Sequence, residues 1–188
     1  MFRKTIAAAT AVLALGAFGA ATASADAGPG TCKYANNYAT KVSGNRIANS
    51  ILCIANRERV AAGLQPLTNN TKLTAAAVGH SRDMAQRNYD AHNTPEGVTP
   101  DQRITQAGYQ FNWWGENIAR GQATPRSVMA AWMGDAPHRA NILNPNFTEI
   151  GIGLWYVTGG QVRYTMDLGN SPAGREGTVT GLEPQFQG

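Results

Sequence analysis

The stretch TEIGIGLWYVTGGQVRYTMDLG, residues 148–169, predicts that this chain contains a β-sheet. Both halves alternate and are rich in β-forming residues, and the TGGQ segment between them is typical of a hairpin turn. Ile150 and Ile152 fall on one face of the first strand, whereas Gly151 and Gly153 fall on the other. Glycines on one strand face indicate either that a helix packs closely or that something binds there. The pattern predicts a hairpin with one apolar face.

Four segments upstream have the periodicity and the end signals of helices. In NRIANSILCIANRERVAAGLQPL, which starts at Asn45, apolar residues fall three or four apart and Gly63 is the stop signal. LTNNTKLTAAAVGHSRDMAQRN follows, with Asn69 or Asn70 as its cap. TPDQRITQAG and TPRSVMAAWMG each open with a Thr-Pro pair, in which Thr caps the helix and Pro takes its first position. Helices around a small, mostly antiparallel sheet predict one α+β domain.

The chain begins with a segment that does not belong to the domain. Residues 1–25 contain two cations, an apolar run and a small-residue cleavage site, a pattern typical of a secretory signal peptide. Residues 26–44 are polar and Gly-rich and are predicted to be flexible, and residues 45–169 form the domain. Residues 170–188 lack an apolar period and are predicted to be a flexible tail. We therefore expect a secreted, extracellular protein.

Charge and hydropathy argue against two classes of partner. The formal net charge is +4, but Arg3 and Lys4 lie in the leader and no run of Lys or Arg follows. Nucleic acid is therefore not an expected partner. No second apolar run approaches the ~20 residues that a membrane span needs. We expect a monomer without a membrane span.

The two cysteines, Cys32 and Cys53, are interpreted as a disulfide, because an even pair in an exported chain is most simply bonded. The bond would tie the start of the mature chain to the first helix. The chain-entropy model values a loop of this size at roughly 3 kcal/mol. The alternative is a pair of buried free thiols.

The sequence lacks the usual signatures of hydrolases, such as H-E-x-x-H or G-x-S-x-G. What remains is a set of histidines and glutamates at segment ends, namely His92, Glu116, His138 and Glu149. Two imidazoles and a carboxylate are a ligand set for a divalent metal such as zinc, but spacing alone favours the interpretation that these are solvated loop residues. His80 lies on the apolar face of the second helix, where a buried histidine bonded to backbone competes with a catalytic role.

Three sequence blocks carry a resemblance to a known family. LCIANRERVAAGLQPLT, GENIA and HRANILNPNFTEIGIG occur in order and resemble the blocks of bacterial members of the CAP (SCP) superfamily, named after cysteine-rich secretory proteins, antigen 5 and pathogenesis-related proteins. The resemblance covers roughly residues 47–168. It implies a three-layer α-β-α sandwich with a surface cleft lined by His92 and Glu116, and with His138 near it. It also implies that Asn117 and Asn141 brace the loops around this cleft.

One departure bears on metal binding. Many eukaryotic members carry two His and two Glu, with the second His directly before a Phe-Thr pair, whereas Asn146 takes that place here. The cleft roles known from the family are therefore implied for His92 and Glu116. For His138 and Glu149, the resemblance implies only the cleft roles of bacterial members. Zinc or another divalent metal held by His92, Glu116 and His138 stays a hypothesis.

Three functions fit these observations, because one fold supports many activities. The favoured hypothesis is a non-enzymatic binding module that uses the cleft to engage a cell-surface, lipid or protein partner. The second is a metal-assisted hydrolase or peptidase acting at the cell wall, with Glu116 as general base and His92 or His138 on the metal. The third is a lipid or sterol binding protein, which would need a large apolar groove.

Overall fold

A computed structural model describes residues 31–157 and 159–172 of the chain. The predicted leader, residues 1–25, lies outside the described residues, and so does all but the start of the predicted tail. Five α-helices, four strands and a short 3-10 helix (Ala39–Lys41) make up the described part. The α-helices and strands are named here in chain order. They are α1 (Gly44–Ala61), β1 (Thr68–Asn69), α2 (Thr71–Arg87), α3 (Pro100–Gln106), β2 (Trp113–Arg120), α4 (Pro125–Gly134), α5 (Ala136–Ile142), β3 (Glu149–Tyr156) and β4 (Val162–Asn170).

The strands form one sheet in the order β1-β3-β4-β2. The predicted hairpin is confirmed as the antiparallel pair of β3 and β4, and β2 adds to β4 in the antiparallel sense. The two-residue β1 runs parallel to β3, so the sheet is mixed rather than purely antiparallel. Helices α2 and α3 cover one face, and α1, α4 and α5 lie on the other, which confirms the predicted α-β-α sandwich.

The glycines of β3 exist because α2 packs directly on the strand. A Cβ added at Gly151 would lie 2.1 Å from the backbone carbon of Leu73. One added at Gly153 would lie 2.2 Å from the backbone carbon of Ala77. Neither distance is compatible with a side chain, so close packing accounts for both glycines and a bound ligand is not needed to explain them.

The opposite sheet face holds the main apolar core. Inward residues of β3 and β4 pack there with α1 and α4, and Trp132 of α4 is the largest fully buried side chain. Its indole nitrogen donates to the carbonyl of Ile118 on β2, which satisfies the one polar group that its burial removes from water.

Arg59 is a buried cation that fastens α1 to the segment before the hairpin. Its guanidinium donates to four backbone carbonyls, at distances of 2.8–3.0 Å. These carbonyls belong to Gln65, Ile142, Asn144 and Phe147. Burial lowers the pKa of this guanidinium. The fixed fork of an arginine can satisfy several carbonyls at once, which lets it stand where an apolar residue is usual.

Helix ends follow the predicted signals closely. Asn70 caps α2 by accepting from the backbone nitrogens of Lys72 and Leu73. Gly63 has a φ of +76° just beyond the C-cap of α1, a conformation that favours glycine. Three of the named elements were not anticipated, namely the two-residue strand β1, the strand β2 and the short helix α5.

The disulfide between Cys32 and Cys53 is present, with a Cα–Cα distance of 5.7 Å. It holds the segment before α1 against the domain, where Ala35 and Ala39 are buried and the Ala39 amide donates to the carbonyl of Ala123. The polar, Gly-rich composition of this segment gave no sign of that packing. Of the helices described, none has the length and apolar character to cross a membrane.

Candidate functional site

An open cleft of about 550 Å³ lies where the start of β2 meets the loop before α3. Its walls combine one indole with amide, carboxylate, hydroxyl and imidazole groups. The lining residues are His92, Asn93, Thr99, Pro100, Asp101, Trp114, Gly115, Glu116 and Asn141.

Glu116 forms the charged floor of the cleft and is held from two sides. One carboxylate oxygen lies 2.7 Å from Nδ1 of His92, and the other accepts from Arg103 at 2.6 Å. The carboxylate is nearly inaccessible, whereas the His92 side chain is 50% exposed. Burial alone would raise the pKa of Glu116, but the bond from His92 and the charge of Arg103 outweigh it and hold that pKa below the ordinary value.

This pairing fixes which nitrogen of His92 faces solvent. Because Glu116 is ionised at neutral pH, its oxygen can only accept, so Nδ1 of His92 must carry the proton. In the neutral ring, Nε2 is then a bare acceptor at the half-exposed edge of the imidazole. The predicted neighbours His92 and Glu116 therefore do lie together, and the pair presents a hydrogen-bond acceptor to the cleft.

Arg103 is the site residue that the sequence did not reveal. It lies in α3, and its guanidinium also donates to the carbonyls of His92 and Val98, at 2.8 and 3.1 Å. It therefore fixes both the carboxylate and the loop that carries His92. The only available signal was its place in a well-capped helix, which by itself is typical of a solvated face.

Asn117 and Asn141 brace the far wall of the cleft. The Asn117 amide donates to the carbonyl of His138 at 3.0 Å, and the Asn141 amide donates to Oδ1 of Asn117 at 2.8 Å and to the carbonyl of Glu116 at 3.2 Å. Gly115 lies between them, where a Cβ would be only 2.9 Å from the ring of Phe147. These contacts match the bracing that the sequence blocks implied.

His138 and Glu149 take positions apart from the cleft lining. His138 Nδ1 lies 2.9 Å from Asp135, at the start of α5. Glu149 is 1% exposed and accepts from Asn70 at 2.9 Å and from Tyr109 at 2.7 Å. Glu149 was expected to line the cleft, but α2 covers the strand face on which it lies. Its carboxylate instead joins Asn70 and Tyr109 by hydrogen bonds inside the protein.

The arrangement does not fit a metal bound by His92, Glu116 and His138. Both oxygens of Glu116 are engaged, and one of them contacts a guanidinium, which would repel a second cation. Among residues 31–157 and 159–172, no group of three His, Cys, Asp or Glu side chains could hold a metal ion.

A second buried acid lies beside Glu116, on the neighbouring strand. Asp167 of β4 is the register partner of Glu116 and is 1% exposed, and apart from the carboxyl group of Glu116 the described chain offers its oxygens no hydrogen-bond partner. Burial raises the pKa of Asp167 well above its ordinary value, and the negative charge of Glu116 adds to the effect. Sequence patterns did not identify Asp167 as buried, because it alternates with apolar residues as a solvent-facing residue of a strand would.

His80 is also buried near this charge. Its Nε2 lies 3.0 Å from the carbonyl of Ala91, and its Nδ1 has no partner within the described residues. Burial lowers the pKa of His80, although the charge of Glu116 acts in the opposite direction. The geometry agrees with the interpretation of a buried histidine bonded to backbone.

A model of the cysteine-rich secretory protein family, CAP, matches residues 54–168. Over 109 residues, the chain is 43% identical to the uncharacterized protein YkwD of Bacillus subtilis, a match that covers 58% of this chain and 42% of that protein. The chain thus spans less than half the length of this relative.

Solved structures show the same fold. An extracellular protein containing a SCP domain from Bacillus anthracis matches with a TM-score of 0.60 and 27% identity, over 69% of this chain and 44% of that one. An outer surface protein from Borrelia burgdorferi matches with a TM-score of 0.59 and 22% identity, over 64% and 90% of the two chains. At that identity, the second likeness concerns the fold alone.

Proposed function

This chain belongs to the cysteine-rich secretory protein (CAP) family, and on that premise we propose that it is an extracellular binding module whose ligand enters the cleft beside His92 and Trp114. The observation that supports this proposal is that both carboxylate oxygens of Glu116 are hydrogen-bonded, one to His92 and the other to Arg103. A carboxylate whose two oxygens are both hydrogen-bonded orients its neighbours and is poorly placed to take a proton from a substrate.

The composition of the cleft supports binding over covalent chemistry. Among the lining residues that the structure describes, none is a Ser, Cys or Lys, and the one hydroxyl side chain, Thr99, is the N-cap of α3. The walls are also preorganised, since partly buried hydrogen bonds fix His92, Asn141 and the backbone of β2 before any ligand arrives.

An extracellular location is part of the proposal. It draws support from the disulfide, because such bonds persist in oxidising surroundings, and from the extracellular SCP-domain protein of similar fold. The predicted leader points in the same direction.

A hydrolase is the second candidate, and one observation favours a modified version of it. His92 is oriented by Glu116 in the way that a carboxylate orients a general base in hydrolases, with Nε2 facing the cleft. In that case His92 would be the base, and Glu116 would position it rather than take the proton itself. A sterol or lipid has less support, because it would leave the imidazole, amide and carboxylate groups that lie among the apolar surfaces of the cleft without hydrogen-bond partners.

The test is sedimentation of the purified mature protein with a cell-envelope preparation of Bacillus subtilis. We expect wild-type protein to cosediment, and Trp114→Ala and His92→Ala to lose most of this binding. Trp113→Ala is the matched control, because Trp113 is the adjacent and more exposed tryptophan, at 55% against 39%, and does not line the cleft.

Equal binding of all variants, or none by any, would contradict the proposal. Release of soluble envelope fragments that is abolished in His92→Ala would establish the hydrolase in its place.

A further inference from the structure

We propose that the ligand of this cleft is a neutral oligosaccharide, with a sugar ring stacked on Trp114 and its hydroxyl groups bonded to the polar side chains around the indole. This inference rests on the proposed function, because it names the class of ligand for the same cleft. Two observations carry it, the exposed and fixed indole and the excess of hydrogen-bond acceptors beside it.

Trp114 forms a rigid platform in the cleft wall. Its backbone is paired in register with Gly169 of β4, within an antiparallel ladder that runs from Trp113 to Arg120 and holds the strand in place. The ring of Phe111 packs edge-on against the indole, with centroids 6.4 Å apart and planes at 65°. The indole nevertheless remains substantially exposed. An aromatic ring that is held in place yet left uncovered offers its negative face to the weakly positive C–H groups of a sugar.

The polar groups around Trp114 are mainly acceptors. His92 presents a bare Nε2, because its Nδ1 donates to Glu116. Asn141 uses its amide nitrogen within the protein, which leaves its amide oxygen for a ligand. Asp101 adds a carboxylate, and Asn93 adds an amide. A wall of acceptors is complementary to a ligand with many hydroxyl donors.

Other ligand classes match this wall less well. An anionic ligand would be repelled by Asp101, and the nearby guanidinium of Arg103 is already bonded to Glu116. A sterol offers a single hydroxyl and would leave most of the acceptors without a partner, at a cost in binding free energy. A neutral sugar chain combines apolar ring faces with many hydroxyls.

The experiment titrates the mature protein with cellotetraose and chitotetraose, two neutral oligosaccharides, and follows binding by calorimetry and tryptophan fluorescence. Sulfated cellotetraose and a labelled sterol serve as the contrasting ligands. We expect at least one neutral oligosaccharide to bind, with Trp114→Ala weakening the affinity about tenfold. Trp114→Phe should keep much of the affinity, and Trp113→Ala should match wild type.

The outcomes separate this inference from the function on which it rests. Failure of both neutral sugars to bind, while envelope binding persists and depends on Trp114, overturns the oligosaccharide and leaves the binding module in place. Preferential binding of the sulfated sugar or the sterol likewise overturns it. If envelope binding itself does not depend on Trp114, the proposed function fails as well. Circular dichroism of each variant establishes that it is folded.

Discussion

Glu116 links the stability of the domain to the shape of the cleft. Its buried carboxylate is the counterion of Arg103, whose side chain is only 11% exposed. That guanidinium in turn holds the carbonyl of His92. One residue therefore fixes the charge balance beneath the cleft and the position of the imidazole at its edge.

We predict that Glu116→Gln lowers the free energy of unfolding by about 3 kcal/mol, because it leaves a largely buried guanidinium without its counterion. Urea denaturation at neutral pH measures the loss. Glu96→Gln is the control, since Glu96 forms a solvent-exposed ion pair with Arg87 and its replacement should shift the midpoint little. Comparable losses in the two variants would contradict the role given to Glu116.

Asp167 should make the free energy of unfolding depend on pH. Its pKa is raised in the folded protein, so between the unfolded and folded values only the native state binds the proton, and stability falls as the pH rises. Asp167→Asn mimics the neutral acid and removes this dependence. We predict that the variant is more stable than wild type at pH 7.5 by about 1–3 kcal/mol, and that the gain shrinks towards pH 5.

Unfolding curves at several pH values measure this difference. If the difference in free energy of unfolding between Asp167→Asn and wild type did not change with pH, Asp167 would be ionised in the folded protein and the prediction would be wrong. Asp167→Ala distinguishes the loss of charge from the loss of side-chain volume.

Site residues were only partly predictable from sequence. His92 and Glu116 were identified as polar residues at segment ends, and only the family resemblance indicated that they meet, because their separation of 24 residues gives no hint of contact. Arg103 and Asp167 were missed, since each lies in a position that is normally solvated and only the packing of neighbouring elements buries it. Burial of a charged side chain is a property of the tertiary fold, and local pattern does not reveal it.

At the scale of elements, the long and well-capped segments were the predictable ones. The hairpin and the four upstream helices were predicted because their periodicity and end signals agree. Strand β2 was missed because Gly115, Glu116 and Asn117 interrupt any alternation of apolar residues. Gly115 and Glu116 line the cleft, and Asn117 braces its wall, which is why polar residues and a glycine are buried in this strand. The strand that departs from the usual pattern is therefore the one that carries the site.

The contact between α2 and β3 is the tightest in the sandwich, and it yields a paired prediction. Gly151→Ala should destabilise the protein by at least about 3 kcal/mol, because the new methyl group would collide with the backbone of Leu73. Gly79→Ala, within α2 itself, meets no atom within 4 Å and should stabilise the protein by about 0.5–1 kcal/mol through helix propensity. Thermal unfolding compares the two; a mild effect at Gly151 would argue against the close packing.

At the scale of the whole molecule, the disulfide attaches the segment before α1 to a sandwich that already has its own core. Cys32 and Cys53 are 21 residues apart, and the chain-entropy model values such a closure at roughly 3 kcal/mol. We predict that Cys32→Ala/Cys53→Ala stays folded but unfolds at a lower urea concentration. Binding through the cleft should be unchanged, because neither cysteine lines it. Loss of cleft binding in a folded double variant would contradict this separation.

At the base of the proposed function is His92, which is oriented by Glu116, presents a bare Nε2 to the ligand cleft and does not bind a metal. Two-bond ¹H–¹⁵N correlation spectra of the histidine side chains, recorded at neutral pH with and without equimolar zinc, test it most directly. We expect the neutral His92 ring to carry its proton on Nδ1 and zinc to leave its Nε2 resonance unchanged. A proton on Nε2, or a zinc-dependent shift of that nitrogen that disappears in Glu116→Gln, would contradict it.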